Sequence, residues 1–219
     1  MRLGTSQKLV MIGDSITDSG RARPVGEGPA GLGNGYVALV EALLTSSRPD
    51  LRVRVLNQGI SGNTVRDLKA RWRTDVLDLR PDWLSVMIGI NDVWRQFDRP
   101  LVPQAHVLIG EYEETLRDLC ARTRPAVQGL VLMTPFYIEP HRGDPMRAQM
   151  DRYGQVVRRM AQEHDAVFVD TQAAFDLVLA HLYPAALAGD RVHPNLAGHM
   201  VLARAFLDAV GFRWGGTEA

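Results

Sequence analysis

Cysteine and lysine are nearly absent from this chain. Cys120 is the only cysteine among 219 residues, so no internal disulfide can form. It falls among apolar residues at helical spacing and reads as a small buried hydrophobe rather than a nucleophile. Lysine occurs twice, at Lys8 and Lys69, and the other 23 basic residues are arginines scattered among 25 acids. With no surplus of either sign, nothing points to nucleic acid or to an anionic membrane as a partner. No apolar run approaches the ~18 residues of a membrane span. The N-terminus also lacks the apolar segment of a signal peptide, because Gly13-Asp14-Ser15 follows a short apolar run at once. The expected location is the cytoplasm. G-x-x-x-x-G-K-[ST] is missing, as is G-x-G-x-x-G after a strand, which weighs against a nucleotide-binding module. H-E-x-x-H and H-x-x-E-H are missing too, and His106, His141, His164, His181 and His199 have no paired metal spacing. No metal and no cofactor are expected.

What is present is a regular alternation. Short apolar runs at Lys8 to Gly13, Arg52 to Leu56, Trp83 to Ile88, Gly129 to Met133 and Ala166 to Val169 read as strands. Helical spacing separates them. After Asn63 or Thr64 as cap, a helix to about Leu79 places Val65, Leu68, Trp72, Val76 and Leu79 on one face. Another, from about Leu108 to Arg124, carries Tyr112, Leu116, Leu119 and Cys120. Further helices are expected at Tyr36 to Leu44, Pro145 to Glu163, Thr171 to His181, and from the Asn195 cap to Val210. Residues 18–34, 96–105 and 138–145 read as loops. The pattern predicts an α/β fold, a three-layer α/β/α sandwich on a parallel sheet of about five strands, in the flavodoxin-like order 2-1-3-4-5. Residues 1–214 read as one domain, and 215–219 as a flexible tail.

Every loop of unusual composition follows a strand, so the loops converge on one edge of the sheet, where open α/β sheets bind ligands. Ser15 lies just past the first strand, its N–H directed outward. A serine hydroxyl needs a base to take its proton, and a carboxylate to orient that base. Asp190-Arg191-Val192-His193 supplies both, and Pro194 keeps His193 out of the following helix. Ester attack also needs donors for the oxyanion. Ser15 N–H, Gly62 N–H and the Asn91 amide are the candidates.

Gly13-Asp14-Ser15, Gly59-Ile60-Ser61-Gly62-Asn63-Thr64, Gly89-Ile90-Asn91-Asp92 and Asp190-x-x-His193 stand in the order and spacing of the four blocks of the SGNH (GDSL) hydrolases, which this chain resembles. Across residues 8–214 it is most similar to the intracellular acetylxylan esterases of that family. The resemblance implies Ser15 as nucleophile, His193 as base, Asp190 as its orienter, and Ser15 N–H, Gly62 N–H and Asn91 as the oxyanion hole. It also implies an acetylated xylo-oligosaccharide as substrate and a homo-oligomer. Trp94, Arg95, Tyr137 and Asp14 are candidate substrate contacts, Asp14 alternatively serving to hold its loop. Asp18 and Asp92 read as structural, and Trp72 and Trp83 as core. The loop 141–144 does not align with the family pattern. A thioesterase or lysophospholipase with the same triad, and a non-catalytic binding module, are the alternatives.

Overall fold

The computed structural model describes residues 1–28 and 30–214. The tail at 215–219 lies outside the described residues. Six strands form one sheet: β1 (Lys8–Gly13), β2 (Gly26–Glu27), β3 (Arg54–Gly59), β4 (Trp83–Met87), β5 (Gly129–Met133) and β6 (Val167–Val169), in the order β2-β3-β1-β4-β5-β6. All neighbours pair in parallel except β2 with β3. The five expected strands therefore keep their flavodoxin-like order. The correction is β2, a two-residue antiparallel edge strand inside what reads from sequence as irregular loop. It is held by backbone pairing and by an ion pair between Glu27 and Arg54, neither of which leaves a periodic pattern.

The central strands are buried along nearly their whole length, as apolar runs covered on both sides must be. The helices form two groups. On one side α2 (Tyr36–Ser47) and α7 (Thr171–Leu179) pack on α8 (Leu196–Ala209). On the other, α3 (Val65–Trp72) packs on α5 (Ile109–Thr123), and both α5 and α4 (Ile90–Asp98) pack on α6 (Pro145–Glu163). Val65, Leu68, Trp72 and Val76 are buried as their spacing predicts, the last in a widened turn over Arg73–Leu77 that extends α3. Trp72 Nε1 donates to Thr123 Oγ1 at 3.0 Å, which ties α3 to α5. Tyr112, Leu116, Leu119 and Cys120 are buried on α5, and burial pushes the Cys120 thiol up to about 12, in keeping with an inert apolar role.

A second correction concerns α4. Asn91 stands in the first turn of a nine-residue helix, and residues 96–98 belong to that helix rather than to a loop. Register places the site. Gly13 at the end of β1 pairs with Gly59 on one side and Met87 on the other, so the residues that follow each leave the sheet at one level. A Cβ at Gly13 would stand 2.3 Å from Thr17 Oγ1 and 2.4 Å from the Met87 carbonyl oxygen. Glycine is required there by close approach. Among the described residues no helix is long and apolar enough to cross a membrane.

Candidate active site

β1 hands directly into a one-turn helix, α1 (Ser15–Asp18). Asp14 caps it, its Oδ1 accepting from Ile16 N–H at 3.0 Å. Ser15 is the first residue of that turn, where backbone N–H groups have no intrahelical acceptor. Ser15 Oγ lies 2.9 Å from His193 Nε2, and His193 Nδ1 lies 2.6 Å from Asp190 Oδ2. The other carboxylate oxygen, Asp190 Oδ1, accepts from Val192 N–H at 2.9 Å and His193 N–H at 2.8 Å. Arg191, between the two, has φ +62°, and this left-handed residue curls the loop so that Asp190 reaches the ring three residues on. The loop is pinned from outside. Ile138 N–H donates to the Arg191 carbonyl at 2.9 Å, and the Arg191 guanidinium pairs with Glu139. Burial disfavours the Asp190 carboxylate, but its bonds to the His193 ring and to the two backbone N–H groups outweigh this and hold its pKa below the usual carboxylate value. It is therefore ionised, and Nδ1 carries the proton that faces it. Nε2 is left to accept from Ser15.

The second wall is the turn from β3 to α3. Gly62 has φ +83°, a left-handed conformation that suits glycine. Asp18 holds this turn, accepting from Ser61 N–H and Ser61 Oγ at 3.0 Å each and pairing with Arg23 at 2.6 Å. Arg71 braces it from below, donating to Asn63 Oδ1 at 2.8 Å, to the Gln58 carbonyl at 2.8 Å and to the Gly13 carbonyl at 3.1 Å. Asp92 Oδ1 takes Val65 N–H at 3.0 Å and so anchors the start of α3. Asp18 and Asp92 thus have the structural positions their sequence context suggests.

Asn91 reaches the same turn from α4. Its Nδ2 donates to the Asn63 carbonyl at 3.0 Å, next to Gly62. Trp94, one turn further, meets His193 edge-on with ring centroids 5.9 Å apart. Ser15, His193 and Asp190 are joined by direct bonds. Gly62 and Asn91 are joined through Asn63, and the two groups are linked by Arg71 and Trp94. Tyr137 is half-buried beside the Asp190 loop, its N–H donating to Gln172 Oε1 at 2.8 Å and its neighbour Ile138 bonded to the Arg191 carbonyl. Asp14 departs from the expectation of a substrate contact. At 1% exposure it is sealed beneath α1, where its carboxyl serves the cap. Burial pushes both Asp14 and Asp92 up to about 7, against the backbone N–H bond each accepts.

Ser15, His193 and Asp190 thus stand in one hydrogen-bonded line at the edge of the sheet, and known proteins of similar sequence and fold share this framework. A model of the GDSL-like lipase/acylhydrolase family matches residues 11–201. The chain belongs to the GDSL-like lipase/acylhydrolase family. Within it, the chain is 62% identical over 215 residues to an acetylxylan esterase of Geobacillus stearothermophilus, with 98% of each covered. The crystal structure of Axe2, an acetylxylan esterase from that organism, superposes with a TM-score of 0.98 at 61% identity over the whole of both chains. LAE5, an α/β hydrolase from the metagenome of Lake Arreo, Spain, superposes at 0.95 with 56% identity, covering 97% of this chain and 98% of its own. The GDSL-like fold accounts for the shared sheet edge on which these loops meet.

Two features of the site escape a reading of the sequence. Arg71 braces backbone carbonyls of β1 and β3, partners 58 and 13 residues away that no local pattern reveals. His199 on α8 is buried behind the site, accepting from Tyr36 N–H at 3.2 Å through Nδ1 and facing Ser19 Oγ at 3.3 Å through Nε2. Burial brings its pKa down to about 4, so it is neutral.

Proposed function

We propose that this protein is a serine esterase that removes acetyl groups from acetylated xylo-oligosaccharides through an acetyl-enzyme. The observation that carries the reading is the bonded line Ser15 Oγ, His193 Nε2 and Nδ1, Asp190 Oδ2, at 2.9 and 2.6 Å. Ser15 Oγ attacks the acetyl carbonyl carbon while its proton passes to His193 Nε2. The carbonyl oxygen becomes an oxyanion and takes bonds from Ser15 N–H, Gly62 N–H and Asn91 Nδ2. One Nδ2 hydrogen of Asn91 is engaged by Asn63, and the amide's second hydrogen serves the oxyanion. His193 then gives its proton to the sugar oxygen, and the C–O bond breaks to release the sugar alcohol. Water, deprotonated by the same ring, attacks the acetyl-serine; acetate leaves and Ser15 recovers its proton. Asp190 steadies the imidazolium in both halves. Every proton has a side chain of this chain to receive it, and no step calls on a cofactor.

The substrate class is supported by the acetylxylan esterase at 62% identity and by the rim. Trp94 beside the base and Tyr137 beside Arg191 offer aromatic faces next to polar groups, the combination that holds sugars. We further place the protein in the cytoplasm, as a homo-oligomer in which exposed side chains such as Leu101, Leu177, Tyr183 and Leu196 are available for burial between subunits. We read residues 1–214 as one folding unit. Arg2 N–H donating to the Val210 carbonyl at 2.7 Å supports this by joining the two ends. The test of function is release of acetate from acetylated xylobiose by the wild-type protein and by Ser15→Ala. Turnover by the first and none by the second is expected; a Ser15→Ala protein retaining more than a few per cent of activity would overturn the assignment.

A further inference from the structure

Arg95 follows Asn91 by one turn of α4, and the two side chains meet. Arg95 Nη2 donates to Asn91 Oδ1 at 3.1 Å. The guanidinium is held in place by an ion pair with Asp98, and the Arg95 side chain is only 18% exposed. A guanidinium has donors and no acceptor. The amide oxygen of Asn91 must therefore face Arg95, and its NH2 group must face away, toward the Asn63 carbonyl and the mouth of the Gly62 turn. The same guanidinium lies 4.8 Å from the centroid of the Trp94 ring, on the residue that abuts His193.

We propose that Arg95 is a positioning residue: it fixes which way round the Asn91 amide points, and so sets the oxyanion donor. This rests on the reading of Asn91 as that donor. An asparagine amide rotated by half a turn fits the same space but presents an oxygen where the oxyanion forms, which repels it. The Asn63 carbonyl also favours the productive orientation, yet it belongs to the half-buried turn that the amide is meant to serve. Arg95 is anchored to α4 itself through Asp98, independently of that turn. Its part in the reaction is to keep the amide aligned before the substrate arrives, and it touches neither the acetyl group nor the sugar.

The test compares Arg95→Met, which keeps the bulk against Trp94 and removes the donors, with Arg95→Lys, which restores one donor. Each is made alone and together with Asn91→Ala, and all are assayed with p-nitrophenyl acetate. Asn91→Ala alone should lose about 10²–10³ in kcat. Arg95→Met should lose about 10-fold in kcat with KM within about twofold, as expected when one charged hydrogen bond orients a donor used only in the transition state. Arg95→Lys should recover most of the loss. The double variant Asn91→Ala/Arg95→Met should be no slower than Asn91→Ala, because an absent amide cannot be misoriented. If Arg95→Met does not fold, Asp98→Asn releases the guanidinium from outside, and should lower kcat about threefold in the wild-type background and not in the Asn91→Ala background. A rise in KM with kcat held would make Arg95 a substrate contact, and losses that multiply in the double variant would make it independent of Asn91; either overturns the inference. Unchanged kcat in Arg95→Met beside a slow Asn91→Ala overturns it alone. Unchanged kcat in Asn91→Ala itself would instead overturn the oxyanion reading on which it rests.

Discussion

Replacing Asp190 by asparagine exchanges one carboxylate oxygen for an NH2 group and should nearly silence the enzyme. In the native loop Asp190 Oδ1 accepts two backbone N–H groups, from Val192 and His193, while Oδ2 accepts from His193 Nδ1. An asparagine in this place keeps its oxygen on the two N–H groups, since turning it round would lose both bonds, a cost of about 2–3 kcal/mol. Its NH2 group then faces Nδ1 and donates to it. The imidazole is forced into the tautomer with its proton on Nε2, the atom 2.9 Å from Ser15 Oγ. A protonated Nε2 cannot accept the serine proton, and the imidazolium loses its counter-charge as well. The serine-protease precedent for this change is a loss of about 10⁴ in kcat, and a loss of that order is expected here. The fold should be unaffected: the Asp190 side chain is 47% exposed, and such surface pairs contribute about 0–1 kcal/mol. The assay is steady-state hydrolysis of p-nitrophenyl acetate, with a thermal melt of the same preparation. A kcat within tenfold of wild type, at an unchanged melting temperature, would refute the tautomer argument.

A ladder of p-nitrophenyl esters from acetate to octanoate should give its highest kcat/KM at acetate and fall steeply by butyrate. An open acyl pocket would instead gain about 0.8 kcal/mol per buried methylene, and an optimum at hexanoate or octanoate would move the activity to the thioesterase or lipase class. Acid should destabilise the fold through His199. Its folded pKa of about 4 lies below the ordinary histidine value of 6.5, so the unfolded chain binds the extra proton as pH falls from about 6.5 to about 4, and up to about 3 kcal/mol of the histidine's contribution is lost across that window. Asp14 and Asp92, raised from 3.8 to about 7, act in the opposite sense: their contribution is full below about 3.8 and is lost as pH rises from there to about 7, so they offset His199 across its own window. Urea midpoints of wild type and His199→Asn at pH 7 and pH 4.5 separate the terms. Relative to the wild type, the variant should gain more or lose less stability on acidification, and identical pH responses would contradict the assignment.

Much of this arrangement is legible in the sequence because it is local. Gly13-Asp14-Ser15 follows an apolar run, and a strand end is where a parallel sheet presents its functional loops. Asp190 and His193 are three residues apart before a proline, so their contact needs only one turn. What escapes is of two kinds. The helix α4 was there to be read: Ile90, Val93, Trp94 and Phe97 recur at helical spacing, but Gly89-Ile90-Asn91-Asp92 also resembles an ordinary turn, and residues 96–105 read as loop beyond it. Its significance is that Asn91 and Arg95 share a helix face. The long-range braces are different in kind. Arg71 against the Gly13 carbonyl, Asp18 against Ser61 and His199 against Tyr36 join segments that sequence alone does not bring together. The short strand β2 belongs with them, since its pairing partner alone gives it form.

The central claim is that Ser15 is the nucleophile and that the His193–Asp190 pair activates it. Labelling with a fluorophosphonate tests it most directly, because the reagent bonds covalently only to a serine activated in this way. Mass analysis of the digested protein should place one label per chain on the peptide carrying Ser15, with esterase activity falling in proportion to labelling, and neither Asp190→Asn nor Ser15→Ala should label at a comparable rate. Full labelling with activity retained, or a label on any other residue accompanying the loss of activity, would contradict the account.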